Sequence, residues 1–254
     1  MGDRGPNMPR VEIRALKEVD LKGGTVVAAF PSVGLVSTIS ATYMIQMLPT
    51  DQVCALESED FPSVSMIYAK KPKFPARVYA SAGHRLAIFI CEMSLPSRVH
   101  RPVAYALLDW AKAHGASRIV TLEGLPTDSE APLKTEPEVW GVGSTDHARA
   151  ELDKAKIEQL ETGMITGVSG VLLNEGRWRN QDVIALLAEA RPEVPDAHAA
   201  VALVHALDNL LADVDIDLGP LKEQAKSLEE FLHKLKQQAT PVVKQEPAPG
   251  GMYG

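Results

Sequence analysis

Cysteine is scarce in this chain: Cys54 and Cys91 are the only two among 254 residues, each inside an apolar run (Val53-Cys54-Ala55-Leu56 and Ile88-Phe89-Ile90-Cys91). Thiols so few and so placed exclude a disulfide scaffold and read as buried free cysteines in a reducing cytoplasm. No apolar run is long enough to cross a bilayer and no leader pattern is visible, so the expected setting is cytoplasmic, without a membrane partner. A concentrated basic face is also missing. The 26 Lys and Arg stand against 33 Asp and Glu, a formal net charge of -7, which argues against a dedicated nucleic-acid binder.

The familiar chemical signatures are absent as well. There is no zinc-ligand spacing, no phosphate loop with Gly-Lys-Ser/Thr and no Gly-x-Ser-x-Gly elbow, and the seven histidines are scattered without paired spacing. The expectation is therefore no catalytic residue, no metal and no cofactor. What remains is a chain long enough to bury a full core as one large α/β domain with a helical extension.

Thr25 to Phe30 is a short apolar run that reads as a strand buried on both faces. It stops at Pro31-Ser32, and from Val33 the apolar residues Val36, Ile39, Tyr43, Met44 and Met47 recur at helical spacing, with Ser32 as N-cap. The Phe30-Pro31-Ser32-Val33-Gly34 turn either offers free N–H groups to an anion or uses Gly34 for close packing. Four strand-like runs follow, Gln52 to Leu56, Val64 to Tyr68, Arg77 to Ser81 and Arg85 to Glu92, the last two joined at Gly83-His84 as a hairpin. A helix is expected from Ser97 to His114, stopped by Gly115.

Ser117 to Glu123 reads as a further strand entering a turn at Gly124-Leu125-Pro126-Thr127, and ligands of open α/β sheets bind at such strand ends. Ser32, Gly34, Glu123 and Gly124 are thus the candidate ligand pocket. Glu92, Glu123, Asp128 and Glu130 are the acids near that edge, although nothing marks a nucleophile. Beyond lie an expected strand at Val139 to Val142, helices at Asp146 to Leu160 and Val171 to Trp178, and a strand at Asp182 to Ala188. Pro195-Asp196 opens a well-patterned helix with Asp196 as N-cap. Asp213, Asp215 and Asp217 lack the Gly and Glu of a calcium loop and read as a solvated linker.

From Leu218 to Gln238, the residues Leu218, Leu221, Ala225, Leu228, Leu232 and Leu235 form an a/d seam, which packs on its own domain or on another copy. After Gln238 the composition turns to Pro, Gly and polar residues that cannot build a core. Such a sixteen-residue tether reaches ~50 Å fully extended and typically spans about 20 to 25 Å. It ends in Met252-Tyr253-Gly254, where an apolar side chain, an aromatic ring with a hydroxyl and a free carboxylate make a tip suited to a cleft. Composition alone supplies such an ending about once in a hundred chains, so the tip needs corroboration.

Taken in order, Phe30-Pro-Ser-Val-Gly34, Leu107-Leu-Asp-Trp-Ala111 before Gly115, Ile119-Val-Thr-Leu-Glu-Gly124, Gly167-Val-Ser-Gly-Val-Leu-Leu173 and Pro195-Asp196 before Ala199-Ala200 resemble the proteasome assembly chaperone family. The likeness is to the second eukaryotic assembly chaperone and its archaeal homologues, some once loosely labelled ATP-grasp proteins, and it covers roughly residues 25 to 235. It implies a three-layer α/β/α sandwich akin to nucleoside phosphorylases, assembly into homo-oligomers, and binding to the α-ring of the proteasome core particle. By the same resemblance a C-terminal hydrophobe-Tyr-X tail inserts between neighbouring α-subunits, which here assigns partner binding to Met252, Tyr253 and Gly254.

The organisation expected is thus a disordered segment at 1–10, the α/β/α domain at 11–217, an amphipathic helix at 218–238 and a flexible tail at 239–254. The function expected is non-enzymatic, an assembly chaperone or gate-opening activator. The alternative is an enzyme of nucleoside-hydrolase, phosphorylase or ATP-dependent ligase type with its pocket near Gly34 and Glu123.

Overall fold

Short continuous apolar runs build the centre of the molecule, because a strand covered on both faces of a sheet needs apolar side chains at successive positions. The computed structural model describes residues 9–127, 134, 136–192, 194–211, 214 and 216–226. Its elements are β1 (Glu12–Ala15), β2 (Thr25–Ala29), α1 (Val36–Met47), β3 (Asp51–Glu57), β4 (Met66–Tyr68), β5 (Lys71–Lys73), β6 (Ala76–Ser81), β7 (Leu86–Cys91), α2 (Ser97–Ala113), β8 (Arg118–Pro126), β9 (Val139–Gly143), α3 (Asp146–Lys154), β10 (Glu158–Gln159), α4 (Gly167–Arg179), β11 (Asp182–Ala190) and α5 (Ala197–Leu210). The segment 1–8, Asp128, Glu130, Asp213, Asp215, the helix seam beyond Lys226 and the whole 239–254 tail with Met252, Tyr253 and Gly254 lie outside the described residues.

Nine strands form one sheet in the order β1-β3-β6-β7-β2-β8-β11-β9-β10, and β4 with β5 makes a separate small hairpin. The central β7, β2, β8 and β11 run parallel, and antiparallel β6, β3 and β1 extend one side. Alternation along each strand then sorts the layers. Val27, Ala29, Val120, Leu122, Ile184 and Leu186 face α1 and α5, whereas Val26, Ala28, Ile119 and Val183 face α2 and α4. The result is an α/β/α sandwich with a core on each side of the sheet, as expected from the resemblance.

Several expected elements form in place. Gly115 takes φ 77 after α2, and Asp196 caps α5 by accepting from the Ala199 amide at 3.0 Å. The β6–β7 hairpin is present, its turn a single 3-10 turn at Ala82–His84. Cys54 and Cys91 are buried free thiols. Burial pushes them up to about 12 and about 11 respectively, so both stay protonated and inert.

Other boundaries move, each for a tertiary reason. α1 begins at Val36 because Gly34 and Leu35 adopt left-handed φ of 62 and 52, so Ser32 stands at the N-cap of the intervening 3-10 turn, from where its Oγ still accepts the Ser37 amide of the first turn of α1 at 3.4 Å. The expected turn at Gly124 to Thr127 is strand through Pro126, held by pairing along β11 as far as Ala190. The helix from Asp146 ends at Lys154 rather than Leu160, since the Leu160 amide bonds to the Gly141 carbonyl and the chain turns back to pair with β9. α4 is longer than Val171 to Trp178, running from Gly167 to Arg179. Residues 219–226 are helical, with Leu221 and Ala225 buried and Leu218 packed against the α1/α5 core, so this part of the seam covers its own domain.

Candidate functional site

At the C-terminal ends of the parallel strands the chain brings the sequence-predicted residues close together, but on two faces. On the α1 side, the turn after β2 is wedged against β8 and the β11–α5 connection. A Cβ on Gly124 would sit 2.3 Å from the Val33 carbonyl oxygen, so only glycine permits this contact. Gly34 is buried, its φ is positive, and a Cβ there would meet Ala190, Arg191 and Asp196 at 3.1 Å each. Its carbonyl accepts the Asp196 amide at 2.8 Å. Ser32 completes the knot. The Ser37 hydroxyl donates to the Leu122 carbonyl at 2.7 Å, so with its one proton committed it accepts from Ser32 Oγ at 2.6 Å. Of the two readings of the Ser32–Gly34 turn, close packing is the one these contacts describe.

Glu123 points to the other face, toward the N-terminal end of α4. Ser169 Oγ donates to Glu123 Oε1, and Thr121, two residues back on the same strand face, holds Ser169 Oγ at 2.6 Å. Burial raises the Glu123 carboxyl to about 7, and the Ser169 bond lowers it against that trend. A hydroxyl donating to a carboxylate resembles the start of a nucleophilic pair. Yet Ser169 is 1% exposed and Thr121 fully buried, and no histidine joins them in these bonds, so the triplet works as a polar clamp of α4 onto β8.

A second polar cluster is only half visible in the sequence. Glu92, one of the acids singled out, pairs with Arg77 Nη1, and the two side chains are 5% and 7% exposed. Arg77 also donates from Nε to Tyr79 at 3.1 Å and from Nη1 to the Phe74 carbonyl at 2.8 Å, while Tyr68 donates to Glu92 Oε1 at 3.1 Å. The one sequence signal for it is an arginine inside the apolar run Ala76-Arg77-Val78-Tyr79-Ala80. Neither cluster's acid lines the two larger clefts, although Phe74, whose carbonyl accepts from Arg77, borders the first of them. A groove of about 1050 Å³ runs beside β1, and a smaller cleft of about 430 Å³ lies among Thr145, Arg149, Arg177 and Asn180.

A mixed sheet covered by helices on both faces defines an α/β/α protein. The PAC2 family model matches residues 26–236, and the chain belongs to the PAC2 family. Among solved structures it is similar to PbaA of Pyrococcus furiosus, described as an archaeal homolog of proteasome-assembly chaperone. That likeness has 28% identity and a TM-score of 0.80, covering 90% of this chain and 92% of the other. It is also similar to PbaB of the same organism, described as an archaeal proteasome activator, with 26% identity, a TM-score of 0.75, and coverage of 89% and 99%. An uncharacterized protein of Methanocaldococcus jannaschii shares 23% identity over 87% of this chain and 89% of its own length. Among the described residues no helix is long and apolar enough to cross a membrane.

Proposed function

We propose that this chain is a non-enzymatic proteasome-binding protein, an assembly chaperone or an activator, that works in the cytoplasm as a homo-oligomer. The observation that carries the reading is the extent of the likeness: two structures, described as an archaeal homolog of proteasome-assembly chaperone and an archaeal proteasome activator, match about nine tenths of the chain at 26–28% identity.

The docking element in this reading is the tip Met252-Tyr253-Gly254. Met252 fills an apolar cleft between neighbouring α-subunits, Tyr253 adds ring contact with a bonded hydroxyl, and the Gly254 carboxylate pairs with a cation. A single tip binds weakly because ordering its tether costs entropy, and several tips on one oligomer gain from effective concentration. The test is deletion of residues 252–254. Loss of co-purification with core particles, with melting and sedimentation unchanged, supports tail docking; undiminished association moves the contact to the folded surface. Pull-downs with α-subunits alone and with complete particles separate chaperone from activator.

A further inference from the structure

Among the described residues the first strand of the sheet is an open edge, and its charge order is matched to itself. Among the same described residues β1 pairs with β3 on one side only. The Leu16 amide donates to the Val53 carbonyl at 2.7 Å. The alternation of an antiparallel ladder therefore turns residues 12 and 14 toward β3 and leaves the backbone groups of Val11, Ile13 and Ala15 pointing outward. A strand edge of this kind is a template for another strand.

Side-chain placement narrows what can pair there. Val11 and Ile13 pack against the α2-side core, so Arg10, Glu12 and Arg14 stand on the opposite face, where they line the large groove. Their existing partners are surface pairs, Arg14 with Glu57 at 2.7 Å and Arg10 with Glu12 at 3.3 Å, of the kind that contributes little and exchanges readily. In the ladder to β3, Glu12 lies directly opposite Glu57, so it also carries an unfavourable like charge.

We propose that β1 is a self-association edge, pairing antiparallel with β1 of a second copy about a two-fold axis at Ile13. Three registers align the outward backbone groups. Centring on Glu12 sets Glu12 against Glu12 and Arg10 against Arg14, and centring on Arg14 sets Arg14 against Arg14; like charges meet in both. Centring on Ile13 sets Glu12 against Arg14 twice, Ile13 against Ile13, and Val11 against Ala15. Only this register is complementary throughout. It also sets Leu16, 54% exposed, against Arg10 of the second copy, at the mouth of a groove lined by Phe61, Val64 and Phe74. Val64 and Phe74 are themselves 50% and 37% exposed. A ladder this short buries less than the ~1,200 Å² of a specific interface, and these apolar residues supply the remainder.

The contact rests on the homo-oligomer of the proposed function but not on proteasome binding, since it is measured on the isolated full-length protein by sedimentation velocity. Glu12→Arg and Arg14→Glu each turn two attractive pairs repulsive, and each is expected to raise the dissociation constant about tenfold or more. Their equimolar mixture regains association, because every position 12 then faces an opposite charge at position 14 across the axis. Ala15→Pro, at an exposed residue, removes an outward N–H that pairing with β3 does not use; it lowers self-association and leaves the melting curve near wild type. A monomeric wild type, single charge variants that associate as tightly as wild type, or a mixture that fails to recover would each overturn the proposal.

Discussion

Ser169 and Glu123 meet where the end of β8 passes the first turn of α4, the hydroxyl donating to the carboxylate and Thr121 bonding to Ser169 from the strand. The same burial that lets this clamp join helix to strand takes the carboxylate out of water. Its proton is then held far more tightly than at a free glutamate, and the carboxyl rises from 4.5 to about 7.

That shift makes stability depend on pH in a direction opposite to most acids. A carboxyl whose folded pKa is raised contributes fully below the unfolded value and loses its contribution as pH climbs through about 7. The loss is on the order of 3 kcal/mol at most, at about 1.4 kcal/mol per unit. Glu123→Gln keeps the shape without the charge. Thermal melts between about pH 4 and pH 9 are expected to show the variant above wild type at the alkaline end and level with it at the acid end. Parallel curves would show that Glu123 does not titrate in this range.

Gly124 tests the packing of the turn after β2. Gly124→Ala forces a methyl to 2.3 Å from the Val33 carbonyl oxygen, which is backbone and cannot swing aside. A cost of about 2–3 kcal/mol in denaturant unfolding is expected. Gly83→Ala, where a Cβ would meet nothing within 4 Å, is the control; it should stay within about 0.5 kcal/mol of wild type. Similar midpoints for the two variants would refute the contact.

The Arg77–Glu92 pair predicts a non-additive cycle. Arg77→Met strands the Glu92 carboxylate in a buried place and costs about 3–5 kcal/mol. Adding Glu92→Gln removes the stranded charge, so the double variant is expected to be more stable than Arg77→Met alone. A double variant that merely adds the two losses would mean the ion pair is not coupled.

Features governed by neighbours within one or two turns are legible in the sequence alone. The Asp196 cap, the Gly115 stop and the double-buried runs of β2, β7 and β8 all follow from capping, left-handed glycine and apolar continuity, which act over a few residues. Leu35 escapes such reading because nothing local asks a leucine to take φ 52; the Gly34 contacts with Ala190, Arg191 and Asp196 hold that turn in place. The end of α3 escapes too, since Ile157 suits a helix until the neighbouring chain pairs with β9.

By itself the sequence determined most of the alternation of strands and helices and the inert buried thiols, because composition and short-range periodicity carry these. Only the tertiary structure decided that Glu123 turns to Ser169 while Gly124 turns to Val33, that Arg77 finds Glu92, and that β1 lies at an edge of the sheet among the described residues. Each depends on which strands lie side by side and in what register, and that is set by burial summed over the whole sheet.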